Sequence, residues 1–159
     1  MSMPTMDRRR IAEHHGRWWI RVRVFVIPLV VLAAVTVPHL DQGDFRTDTG
    51  WYAAIGLGSV RHWLHAHGLV DALTLQAEPG KPFFNKPPLA LWIHGLFLWI
   101  FGVNLPAARA PTILASGLCV LFTTIIANRL GTRAQATIAG CVLALTVEFF
   151  RRTREISLD

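Results

Sequence analysis

Charge is scarce in this sequence, and over long stretches it is missing. Only 16% of the 159 residues are charged, against 52% hydrophobic. Val24–Leu40 has 17 residues without Asp, Glu, Lys or Arg, Ala110–Ala127 has 18, and Ala134–Val147 has 14, extended by Phe149 and Phe150 beyond Glu148. Uncharged apolar runs that approach ~20 residues read as membrane spans rather than core helices. That excludes an ordinary soluble domain. Cysteine is also short: Cys119 and Cys141 lie in separate apolar runs, so neither a disulfide framework nor a zinc site is indicated. Both read as small packing residues. No low-complexity tract or internal repeat is present. After the first apolar run, Val35-Thr36-Val37-Pro38-His39 offers no A-x-A-like site, so a cleaved signal peptide is disfavoured and an uncleaved first span expected.

Acids are outnumbered, 10 against 16 Lys and Arg, for a net charge of +6. A basic balance can mean nucleic acid, but here its placement argues for a membrane. Arg8, Arg9, Arg10, Arg17, Arg21 and Arg23 directly precede the first apolar run, with only Asp7 and Glu13 against them. The positive-inside bias then places residues 1–23 in the cytoplasm, residues 24–40 across the membrane and the following loop outside. No nucleic-acid partner is expected.

The external loop, residues 41–106, mixes acids and bases up to Lys86. Within it Thr49–Ala66 spaces Trp51, Ile55, Val60, Trp63 and Leu64 as an amphipathic helix suited to the membrane interface. Gly68 is its expected stop, and Glu78-Pro79-Gly80-Lys81-Pro82 marks a turn. Leu89–Val103 is apolar but only 15 residues long. Asn104-Leu105-Pro106 separates it from the next helix, and Asn128 to Arg133 forms a basic turn.

Ionisable groups beside hydrocarbon are costly, so they pair, snorkel or serve a function. Asp48, Lys86, the arginines from Arg151 to Arg154, and Asp159 hold such positions. Acids and cations near one membrane face suit a reaction on a phosphate-bearing lipid, with cations holding phosphate and a carboxylate orienting or deprotonating an acceptor. Simpler roles exist for each. Asp48 would serve as a helix N-cap, Lys86 as a snorkelling cation, and the arginines as a solvated helix end. His62, His65 and His67 do not share one helical face, so they read as scattered interfacial residues rather than metal ligands.

Four ordered blocks then resemble one family. Asp48-Thr49-Gly50-Trp51-Tyr52-Ala53-Ala54-Ile55 resembles the D-E-x-x-Y-A-x-I stretch of polyprenyl-phosphate-dependent GT-C glycosyltransferases, the group of protein O-mannosyltransferases and the lipid A aminoarabinose transferase. Pro82 to Leu89, PFFNKPPL, is similar to their Y-F-E-K-P-P-L motif. Phe101-Gly102-Val103-Asn104 with Ala107-Ala108-Arg109-Ala110-Pro111 resembles their F-G-x-N and A-A-R-x-P junction, and Ile156-Ser157-Leu158-Asp159 their A-x-L-D.

The resemblance implies an all-α integral membrane fold and a transferase that takes a sugar from a polyprenyl-phosphate donor to a lipid or protein acceptor. The setting implied is a bacterial inner membrane with a periplasmic active face, in lipopolysaccharide or protein glycosylation. Asp48 and Asp159 correspond to the catalytic acids. Lys86, with Arg151 and Arg154, corresponds to the donor-phosphate site, and Tyr52, Asn85, Pro87 and Pro88 are motif neighbours. No cofactor is definitely implied, although a divalent cation would suit the chemistry. Thr49 and Asn85 stand where the family has glutamates, which puts acceptor type and activity in question.

If Asp48 and Asp159 share one face, an even number of spans separates them. Leu89–Val103, the shortest segment, is then the one expected to lie at the interface, giving about three spans with residues 107–159 as a membrane hairpin. Four spans is the alternative. Family members carry many more spans, so an inactive N-terminal fragment is the expectation. The competing readings are a truncated, non-catalytic module that binds lipid phosphate or partner helices, and a transporter fragment. The latter predicts polar residues inside the spans, where Ala110–Ala127 shows only Thr and Ser.

Overall fold

In the computed structural model, residues 8–42, 48–66, 68, 74–78 and 81–153 are described. The uncharged runs become helices. Helix α1 (Arg8–Thr36) carries the basic segment and the first apolar run in one piece, and a 3-10 turn over Val37–His39 ends it at Pro38. Helix α2 (Asp48–Trp63) follows, then a two-stranded antiparallel ribbon of β1 (Gln76–Glu78) and β2 (Lys81–Pro82), with Gln76 opposite Pro82 and Glu78 opposite Lys81. Four helices complete the described chain: α3 (Pro88–Phe101), α4 (Leu105–Leu130), α5 (Arg133–Leu145) and α6 (Val147–Thr153). The architecture is that of an all-α membrane protein, with the small ribbon as an addition inside the expected external loop.

Sequence chemistry sets the boundaries. Pro87 occupies the N-cap position of α3 and Pro88 its first helical residue, where no donated hydrogen bond is needed. Gly102, at φ 86°, takes a left-handed conformation that few side chains tolerate. Asn104 then serves both neighbouring helices. Its Nδ2 donates to the Phe101 carbonyl at the end of α3 (3.0 Å), while its Oδ1 accepts from the Ala107 N–H in the first turn of α4 (2.8 Å). Between α4 and α5 the basic turn is short, because α4 continues to Leu130. Thr132 and Gln135 form a reciprocal capping box that starts α5.

Among the described residues, two helices are long and apolar enough to cross a membrane, at Val22–His39 and Leu105–Leu130. The last segment is different from a straight span. It breaks at Thr146 and bends by 63° between α5 and α6, giving a third crossing only if that bent pair is one span. The break is a tight turn in which the Thr146 N–H donates to the Leu143 carbonyl and its hydroxyl to the Val142 carbonyl. Helix α3, with 14 residues and roughly 21 Å of length, is shorter than a ~30 Å hydrocarbon layer.

Helices α1, α4 and α5 pack together around Leu32, Val120 and Ala144. Their closest crossing is built from small groups: a Cβ on Gly140 would meet Pro28 Cβ and Cγ at 2.8 Å and the Thr124 hydroxyl closer still. Small residues let membrane helices approach where apolar burial gives little drive. Buried hydroxyls bond within their own helices, Thr36 to the Leu32 carbonyl (2.6 Å) and Thr124 to the Val120 carbonyl (2.8 Å). Large apolar side chains such as Leu114, Leu118, Phe122, Ile126 and Val142 point outward. Cys119 points outward with them rather than packing inside, a departure from the packing role expected of it, and Cys141 is half-buried.

The second packed region joins α2, the ribbon strand β1, α3 and the start of α4. Its core is Tyr52, Ala53, Ile55, Leu75, Phe83, Leu91 and Leu98, closed by Ala107 and Ala108. Helices α2 and α3 touch backbone to backbone, because a Cβ on Gly95 would collide with the Gly56 peptide.

Candidate functional site

Three of the four sequence blocks have described residues, and these are spread over α2, the connection into α3, and the α3–α4 junction. Asp48 is the first residue of α2. One turn on, Tyr52 is buried, and beside it the exposed Trp51 meets Phe83 edge-on with ring centroids 5.2 Å apart. Phe83 is tied down further by its N–H, which donates to the Leu75 carbonyl at 2.7 Å. The two aromatic residues of the second block therefore diverge, with Phe83 in the core and Phe84 at 81% exposure. Asn85 is exposed and Lys86 half-buried, on the short connection between Phe83 and the Pro87–Pro88 helix start. The connection is thus fixed at both ends, by Phe83 in the core and by α3 on α2.

Arg151 lies on α6 and is exposed. Its Nη2 sits 2.9 Å from Glu148 Oε1, and Arg152 Nε approaches the same oxygen at 2.9 Å. Such exposed pairs contribute little to stability. Helix α6 is seated by Thr153, whose hydroxyl donates to the Phe149 carbonyl (2.7 Å) and lies 2.9 Å from Ser116 Oγ on α4. Phe150 stacks edge-on with His39, centroids 6.2 Å apart, so α6 sits at the end of the bundle where α1 exits. Arg154 and Asp159 lie outside the described residues, as does His67. His62 and His65 end α2, with His65 Nδ1 donating to the Arg61 carbonyl (2.9 Å). Among the described residues, no three His, Cys, Asp or Glu side chains are grouped to hold a metal ion.

Two buried polar residues to which sequence reasoning gave no site role organise this end. His94 of α3 is 6% exposed and donates from Nδ1 to the Ala108 carbonyl of α4 at 2.8 Å, which leaves Nε2 as the acceptor 3.5 Å from the Thr112 hydroxyl. Burial lowers its pKa below the ordinary 6.5, and the Ala108 hydrogen bond offsets that only in part. The ring is therefore neutral in the folded protein at pH 7. The next residue, Arg109, is also 6% exposed and reaches the other way. Its Nη1 lies 2.7 Å from the Leu40 carbonyl, 2.8 Å from that of Gln42 and 3.2 Å from that of His39. A cation there also meets the negative end of α1. A signal was present in the sequence: a buried cation is costly, and Arg109 borders the uncharged run that begins at Ala110.

Helices of spanning length with outward apolar faces define an integral membrane protein. Residues 85–159 match a family model described as dolichyl-phosphate-mannose-protein mannosyltransferase. The chain is also 29% identical over 120 residues to an undecaprenyl phosphate-alpha-4-amino-4-deoxy-L-arabinose arabinosyl transferase from Pseudomonas savastanoi pv. phaseolicola (strain 1448A / Race 6). That similarity covers 74% of this chain and 21% of the relative, so the chain spans about a fifth of the length of the curated relative it matches. No solved structure matches the chain with significance. Together the two similarities support the GT-C-type polyprenyl-phosphate glycosyltransferases, the group that the four sequence blocks resemble.

Proposed function

We propose that this chain works in a membrane glycosyltransferase that moves a sugar from a polyprenyl-phosphate donor to a lipid or protein acceptor. The reaction takes place at the periplasmic face of a bacterial inner membrane. The observation that carries the reading is the family match over residues 85–159, which opens on Asn85 and Lys86 at the Pro87–Pro88 helix start. The aminoarabinosyl transferase similarity supports an undecaprenyl-type lipid for the donor.

Chemically, an acceptor oxygen attacks the anomeric carbon, a new glycosidic bond forms, and the bond to the lipid phosphate breaks. The phosphate leaves with the electron pair. Lys86, with Arg151 and Arg154, offsets charge growing on the departing phosphate, because a fixed cation in a poorly solvated site stabilises a developing anion better than water does. Asp48 takes the proton of a hydroxyl acceptor, and Asp159 supplies the second acid. An acceptor phosphate is already ionised and needs only positioning. Tyr52, buried under the first turn of α2, supports the start of the helix that presents Asp48.

The test is transfer from a radiolabelled polyprenyl-phosphate sugar in membranes that express the full reading frame. Asp48→Asn removes the base while keeping shape, and turnover with a hydroxyl acceptor should fall about 100-fold or more. Full turnover in that variant sinks the assignment of Asp48. Lys86→Met should lower turnover too, with the larger loss on donors whose leaving phosphate is least stabilised.

A further inference from the structure

Arg109 holds a place that the proposed chemistry does not use. It is a buried cation on α4, and it is spent on backbone carbonyls of another element, those of His39, Leu40 and Gln42. These residues form the exit of α1. Six positions beyond Gln42 the chain begins α2 at Asp48, so the two Cα atoms are at most ~21 Å apart even if the connection is fully extended. The preceding residue of α4, Ala108, fixes the other side of the loop: its carbonyl accepts from His94 of α3, and α3 carries α2 through the Gly56–Gly95 contact. One turn of α4 therefore holds both the exit of α1 and the helix that follows Lys86.

We propose that Arg109 is a positioning residue for the transfer reaction: by clamping the α1 exit it sets where Asp48 stands relative to Lys86. This rests on the proposed glycosyltransferase reading for its catalytic consequence, but not for the clamp. The geometry favours this role over simple helix capping. A cap of α1 needs only a nearby cation or water, whereas this guanidinium is buried and gathers carbonyls from the 3-10 turn and from the chain beyond it. The chain is held after the helix has ended. Arginine suits the task because its charge persists when buried, and its terminal Nη1 alone meets all three carbonyls. The cost of burying that charge is offset by the carbonyls of Leu40 and Gln42 and, at longer range, that of His39, which also accepts from the Gln42 amide.

The experiment compares wild type, Arg109→Met and Arg109→Lys, expressed from the full reading frame and reconstituted in lipid nanodiscs. Two readouts are taken. Hydrogen exchange reports the Leu40 and Gln42 amides, which donate to the Val37 and His39 carbonyls. Steady-state transfer separates kcat from the donor KM. The expected result for Arg109→Met is exchange at Leu40 and Gln42 about tenfold faster, with the Val120–Ala144 contact region unchanged. With it, kcat should fall about 10- to 100-fold, since misplacement of order an ångström has that effect, and donor KM should stay nearly constant. Arg109→Lys should recover part of both, because it restores the charge and N–H donors but on a shorter side chain than the one that places Nη1 on these carbonyls.

Unchanged exchange in Arg109→Met overturns the clamp, and faster exchange with unchanged kcat overturns the positioning role. A global rise in exchange across α4 and α5 would mean that Arg109 serves overall folding, which also overturns it. Asp48→Asn run alongside separates the two readings. If it retains turnover, the proposed site falls whatever Arg109 does. If it loses turnover while Arg109→Met keeps it, the site stands and the positioning role falls.

Discussion

Around α1, α4 and α5, the helices meet through Gly140, Pro28, Thr124 and Ala144, while Leu118 and Phe122 face outward. Around α2 and α3 the arrangement is reversed in part. There the interior holds Tyr52, Ile55, Phe83, Leu91 and Leu98, and Phe84, Trp63 and Trp99 remain on the outside. The difference follows from solvent. Lipid tails are as apolar as leucine, so helices in a membrane gain little by burying large side chains and associate through close backbone approach instead. A loop outside the hydrocarbon meets water on some faces and gains ~25 cal/mol per Å² of apolar surface removed from it. The α2–α3 region keeps a core of that soluble kind, and its exposed tryptophans suit a headgroup layer.

That contrast can be broken most severely at Gly95. The alanine Cβ would collide with the Gly56 peptide, and backbone cannot rotate aside as a side chain does. Gly95→Ala should destabilise the loop region by about 3 kcal/mol or more, read as earlier denaturant unfolding in micelles by tryptophan fluorescence. Next comes Leu91, which is fully buried in the same core. Leu91→Ala should cost about 2.5 kcal/mol, through lost burial and the cavity left behind. The matching truncation in the bundle, Leu118→Ala, removes a side chain that is 52% exposed to the outside. It should shift stability by less than about 0.5 kcal/mol in micelles. Equal losses at Leu91 and Leu118 would end the distinction between the two regions.

The smallest and most specific effect is titration of His94. Its pKa is lowered in the folded protein and ordinary, near 6.5, when unfolded, so between the two values the unfolded chain binds more protons. The stabilising contribution is fully present above pH ~6.5 and is lost as pH falls through the folded value. Unfolding of the α2–α3 region should therefore become easier on acidification, while the α1–α4–α5 contacts, which bury no histidine among the described residues, should not follow. His94→Gln should flatten that dependence.

Much of this was legible in the residues. The uncharged runs gave the long helices, Asn104 and the Thr132–Gln135 pair marked helix starts, and Pro87–Pro88 announced α3. The continuation of α1 back to Arg8 was less visible, because arginines interrupt the apolar pattern without opposing helix formation. The bend at Thr146 was hidden as well, since neither Gly nor Pro marks it. For the proposed site, the sequence supplied Asp48, Lys86, Arg151, Arg154 and Asp159 by motif, but it gave no site role to His94 or Arg109. His94 is one histidine on an apolar helix, and Arg109 one arginine at the edge of an apolar run. Neither reveals its partner by spacing.

The sequence by itself determined which segments are helical, which of them are apolar enough for a membrane, and which ionisable groups stand beside them. These follow from local propensity and from the composition of each segment. Only the tertiary structure decided that Ala108 and Arg109 hold α3 and the exit of α1 from one turn of α4. The same is true of the bare peptide contact between Gly56 and Gly95, which lets α2 lie on α3. The bonds from Arg109 join residues 67 to 70 positions apart, and no local pattern encodes a partner at that range.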